Sequence, residues 1–173
     1  MQQEIAAPYA LLQLSRNFKI SAIAHMNLRF LDLRAAIRRG DLVDPKAIYN
    51  AAIRLDGDLE SWKAALEPSW SYSTVDAGDA LAGMYFEGKR HLYNNLRTAR
   101  IWNSWRTLRI LVSQIILQNE VWFGATGSGH EYTALSTIHQ VSTEICVSAP
   151  NFIGSPRKHT STDKLRYLTQ PLL

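Results

Sequence analysis

Apolar residues recur at three- and four-residue spacing over most of the chain, the period of amphipathic helices. The clearest stripe follows Asp44: Ile48, Ala51, Ala52, Leu55, Leu59, Trp62 and Leu66 share one side of a helix. Asp44 is the N-cap candidate, and Pro45 sits at the first helical position, where its missing N–H costs nothing. Pro68 marks the far end, because the residue before a proline is pushed out of the helical region. Arg54 and Asp58, four residues apart, are expected to pair on the solvent side.

The same period predicts a helix from Ile5 to Arg39, with a candidate break near Arg16–Asn17. Its expected core face is Leu28, Leu31 and Ala35, flanked by Phe30, Leu33 and Ile37, and Gly40 is the C-terminal stop. Residues 68–84 mix turn formers with Trp70 and Tyr72 and read as a loop tacked down by those two rings. A third helix is predicted from about Tyr85 or Gly88 to Phe123. Its apolar side chains cover nearly the whole circumference, the pattern of a buried helix. "GATGSGH" (124–130) reads as a connector, and a fourth helix follows from about Glu131 to Ser148, ending before Pro150. A turn, "PNFIGSPRKHTSTD", leads to a short last helix, "KLRYLTQPLL". No strand-like alternation is long enough to count. The expected class is all-α, an irregular bundle of about five helices, with 1–44 as an N-terminal helical segment joined in one compact unit to 45–173.

Charge adds little to this picture. Nineteen basic residues against 15 acidic give a net charge of +4, a mild excess that a solvated surface accounts for. The chain has a single cysteine, Cys146, which excludes an intramolecular disulfide and a cysteine-based zinc site and suits a reducing compartment. It sits on an apolar helix end and reads as a buried structural thiol. The N-terminal residues lack the basic start of a secretory signal. The longest apolar run, "ILVSQIIL" (110–117), is far short of the roughly 20 residues of a membrane span.

The densest stretch, "ARIWNSWRTLRILVSQIIL" (99–117), sets Trp102 and Trp105 among arginines. A single-strand-binding platform would gather aromatics and cations on one face. Here Arg97 and Arg100 point to one side of the helix and Arg106 and Arg109 to nearly the opposite one. The tryptophans share faces with aliphatic residues, so they are read as core. Arg106 and Arg109 are expected to reach buried carboxylates or helix-end carbonyls. The glycine-rich 124–130 lacks the Gly-Lys-Ser/Thr ending of a phosphate loop. The histidines (His25, His91, His130, His139, His159) show no i,i+4 pair and no HExxH. No GxSxG elbow is present. "SPRKHTSTDK" (155–164) reads as a basic, solvated turn. No catalytic, cofactor-binding or metal-binding residue is assigned, and the chain is not expected to be an enzyme.

Three segments, "RLDGDLESWKAALEPSWSY" (54–72), "HLYNNLRTARIWNSWRTLRILVSQIIL" (91–117) and "STEICVSAPNFIG" (142–154), resemble in order and spacing the fungal-specific transcription factor domain. That domain is the regulatory region of many Zn(II)2Cys6 transcription factors. The WN-x-x-R-x-x-R helix and the EIC-x-S-x-P segment carry the resemblance, which spans about residues 45–170. It implies an all-helical regulatory, protein-interaction domain in the nucleus, a portion of a larger helical region, with the WN helix as a central packing element. With one cysteine, the DNA-reading zinc cluster is missing, so no specific DNA binding by this chain is expected. The implied partners are another protein or a second copy of the chain, with a small-molecule effector in a helical cavity as a further role. Two other readings stand beside it. One is a helical accessory protein, cytoplasmic and not secreted. The other is a weak nucleic-acid binder using Lys89, Arg90, Arg97 and Arg100 on one helix face.

Overall fold

The computed structural model describes residues 6–76, 78, 85–120 and 129–153. Helix α1 runs Ala6–Arg39, α2 Pro45–Ala64, α3 Leu96–Glu120, α4 Gly129–Ser148 and the single turn α5 Pro150–Ile153; two strands, β1 (Tyr72–Asp76) and β2 (Lys89–Tyr93), form an antiparallel hairpin between α2 and α3. The architecture is all-α with this one small sheet.

Helix boundaries follow local chemistry. Asp44 caps α2, its carboxylate accepting from the backbone N–H groups of Lys46 (3.1 Å) and Ala47 (3.2 Å). Gly40 ends α1 at φ 77°, with Gly40 N–H donating to Ile37 O and Asp41 N–H to Ala36 O, the paired bonds of a Schellman stop. Asn95 caps α3, accepting from Thr98 N–H at 2.9 Å. α2 ends at Ala64, three residues before Glu67, the residue that Pro68 constrains; Pro68 instead opens a one-turn 3₁₀ helix, Pro68–Trp70.

One hydrophobic core joins the long helices. Ile23, Met26 and Phe30 of α1 meet Ile48, Ala52, Leu55, Leu59 and Trp62 of α2, the α3 row from Trp102 to Ile116, and Ala134 and Val141 of α4. Three indole N–H groups stitch it, each to a backbone carbonyl of another element: Trp62 to Lys19 (3.0 Å), Trp105 to Leu59 (2.8 Å) and Trp102 to Trp70 (2.8 Å). A buried indole needs such an acceptor, so each tryptophan fixes a helix position as well as filling volume. Trp102 also stands edge-on to Trp62, Trp105 and Tyr72.

The structure corrects several expectations. α1 is continuous through Arg16–Asn17, and its core face is Ile23, Met26 and Phe30, with Leu33 and Ile37 beside them. Leu28 and Leu31 are 59% and 58% exposed. α1 carries two apolar stripes, and periodicity alone does not say which one meets the core. The third helix starts at Leu96, because residues 89–93 pair with 72–76: Tyr72 faces Tyr93, Thr74 faces His91 and Asp76 faces Lys89. Five-residue strands were too short to register as alternation. Asp58 pairs with Arg29 of α1 at 2.6 Å in place of Arg54. Cys146 is exposed. The connector residues 124–128 and the last predicted helix, 164–173, lie outside the described residues.

Candidate interaction surface

α3 has two opposed faces. The inner one carries the expected pairing of Arg106 and Arg109. Arg106 is fully buried. Its Nε donates to Glu144 Oε2 (2.9 Å), and its Nη1 donates to the Tyr93 hydroxyl (2.7 Å) and to Asn103 Oδ1 (2.8 Å). Nη2 lies 3.5 Å from His91 Nδ1. The guanidinium stacks over Tyr72 and Trp102. Glu144 is held further by the Tyr72 hydroxyl and Gln140. Ser148 Oγ donates to Asn103 Oδ1, and the Asn151 amide donates to His91 O and Ser148 O. This network ties the hairpin, α3, α4 and α5 together.

Its protonation states are consistent. Burial alone would raise Glu144, but hydrogen bonds from Arg106 and Gln140 hold its carboxyl below the usual range. Burial, with the Arg106 charge beside it, lowers His91 from 6.5 to about 4. The ring is therefore neutral, and Nδ1 can accept the Tyr93 O–H at 3.0 Å. Burial raises both Tyr72 and Tyr93, and Arg106 pulls back against it. The donors and acceptors are matched and face inward, so this cluster supports structure.

Arg109 is paired less well. It lies 2.7 Å from Glu60 and 3.2 Å from Asp56, yet its Nε and Nη1 and the Asp56 Oδ1 make no aligned hydrogen bond. Coulomb attraction carries that pairing, and burial raises Asp56. At the end of α3 Glu120 is buried, and neither of its carboxylate oxygens is hydrogen-bonded among the described residues.

The outer face of α3 is open, against the expectation of a helix buried all round: Arg97, Arg100, Thr107, Gln114 and Gln118 are exposed. α1 covers α3 less than α2 and α4 do, and the seam between α1 and α3 is a trough. Three depressions follow one another along it in the same order on both helices. The first is small, lined by Ile20, Arg97, Thr98 and Trp70, whose indole N–H has no acceptor among the described residues. The central one, about 500 Å³, is lined by Asn27, Arg100, Asn103, Ser104, Thr107 and Phe152 of α5. The third lies between Phe30, Arg34, Leu111 and Gln118. No carboxylate lines any of the three. Asn103 belongs to both faces: its Oδ1 is held by Arg106 and Ser148, so the buried network sets the trough floor.

Of the proposed nucleic-acid residues, only Arg97 and Arg100 share a helix face. Lys89 and Arg90 lie on β2, and Trp102 and Trp105 are buried. Among the described residues no group of three or more His, Cys, Asp or Glu could hold a metal ion, and no helix is long and apolar enough to cross a membrane. No protein-family model, no curated protein and no solved structure matches the chain.

Proposed function

We propose that the chain is a non-catalytic, regulatory protein-interaction domain, of the kind found in fungal Zn(II)2Cys6 transcription factors and working in the nucleus, without a zinc cluster of its own. The observation that supports this reading is the α1–α3 trough: an exposed, carboxylate-free groove on a frame held rigid by the Arg106 network. Helical scaffolds use grooves of this shape to receive a partner segment. The trough residues contribute hydrogen-bond donors, cations and an apolar rim, which suit recognition.

The test is to tether the chain. Fused to a heterologous DNA-binding module that has no regulatory region, it is expected to change output from a reporter carrying that module's site. Arg97→Glu/Arg100→Glu is expected to remove the change at equal protein abundance. Output equal to that of the DNA-binding module alone contradicts the regulatory reading.

A further inference from the structure

We infer that the α1–α3 trough receives an amphipathic helix whose contact face is acidic at its two ends. This rests on reading the trough as a protein-docking surface and not on the transcriptional role.

The first argument is charge. Each depression contains one arginine: Arg97 in the first, Arg100 in the second and Arg34 in the third. Among the described residues none is paired with a carboxylate; the ion pairs there use Arg29, Arg39, Arg106 and Arg109. The Arg34 guanidinium rests on the Phe30 ring at 5.8 Å, which leaves its N–H donors open. Three unpaired arginines with no lining carboxylate make a positive groove that selects a negative partner.

The second argument is shape and spacing. At 1.5 Å per residue the α1 wall from Ile20 to Arg34 is about 21 Å long, and the α3 wall from Arg97 to Gln118 about 31 Å. That length suits a helix of four to six turns. Arg97 and Arg100 stand one turn apart at one end. Arg34 lies opposite Leu111 to Gln118, roughly 16–31 Å further along α3. The partner therefore needs two acidic clusters about three to six turns apart.

The third argument is the rim. At 100° per residue Leu31 lies beside Asn27 on the trough side of α1, and Leu28 lies on the crest. With Phe152, these are exposed apolar side chains, and they give an apolar stripe between the partner's acidic ends something to cover. Exposed Leu31 and Phe152 along the groove favour a protein partner over nucleic acid, whose backbone gains nothing from them. A second copy of the chain is a poorer occupant, because the α2 carboxylates Asp56, Asp58 and Glu60 are already engaged by Arg109 and Arg29.

The experiment uses fluorescence anisotropy with the full chain at low salt. The probe is a labelled helical peptide of roughly 20 residues, built from Glu, Leu and Ala with Glu clusters at both ends of one face. It is compared with the same peptide carrying Lys for Glu, a scrambled peptide of equal composition, and a single-stranded DNA of similar length. The amphipathic Glu peptide is expected to bind about tenfold or more tighter than the Lys and scrambled peptides. Arg97→Glu/Arg100→Glu is expected to reverse the Glu-over-Lys preference, and Leu31→Asp to weaken the Glu peptide without reversing it. Equal binding of Glu and Lys peptides overturns the proposal. So does an unchanged preference in the double variant, displacement of the peptide by DNA at lower concentration than by unlabelled peptide, or a concentration-dependent dimer that excludes the peptide. The tethered reporter is a separate readout: peptide binding without transcriptional effect removes the regulatory role and leaves the docking surface standing.

Discussion

Arg106 and Arg97 lie on the same helix, nine residues apart, and do opposite jobs. Arg106 points inward, where six side chains from the hairpin, α3 and α4 surround its guanidinium. Arg97 points outward and has no ion-pair partner among the described residues. Residue type is the same, so the environment alone separates them: a buried arginine must be paired, and an exposed one is free to meet something else. The inner face of α3 builds the fold, and the outer face is left for recognition.

The sharpest way to break this contrast is at its inner end. Arg106→Met strands Glu144 and removes the stack between Tyr72 and Trp102; breaking one side of a buried pair is expected to cost about 3–5 kcal/mol, read by chemical denaturation. Trp102→Ala is expected to cost a similar ~3–5 kcal/mol, since it leaves a cavity and frees the Trp70 carbonyl. Arg109→Met tests whether alignment matters as much as burial. Its pairing is poorly aligned, so a smaller loss of about 1–3 kcal/mol is expected.

Acid should act through the inner face as well. His91 is held near 4 when folded and returns to 6.5 when unfolded, so the unfolded chain takes up the proton first. Stability is expected to fall as pH drops from 6.5 toward 4, and Glu144, depressed in the fold, adds to the loss below that. Asp56, raised in the fold, works against this trend. His91→Gln is expected to flatten the slope between pH 6.5 and 4, read as Tm against pH. The smallest effect belongs to the outer face: Arg97→Glu/Arg100→Glu should change stability by no more than about 0.5 kcal/mol.

The motifs that stood out in the sequence meet in space. Trp102, Asn103 and Arg106 of the WN-x-x-R run, Glu144 and Ser148 of the EIC-x-S segment, and Tyr72 and Tyr93 all join one network. They were legible because buried polar and aromatic residues are the unusual ones in a helix of aliphatic spacing. The cap at Asp44 and the stop at Gly40 were legible for the same reason, since each rests on local chemistry. The hairpin was not, because five-residue strands stabilised by cross-strand Tyr72, His91 and Tyr93 contacts carry too little pattern. The α1 face was misread because Leu28 and Leu31 repeat at the same period as Ile23, Met26 and Phe30. The trough was legible only in part: Arg97 and Arg100 could be placed on one side of α3, but Arg34 and Asn27 join them only through tertiary packing.

Thermal unfolding of Arg97→Glu/Arg100→Glu beside Arg106→Met, at one pH and concentration, tests the division of α3 most directly. The account predicts the outer double variant within about 2 °C of the unaltered chain and the inner variant lower by about 6–20 °C. Equal loss in the two, or a larger loss in the outer variant, would contradict it.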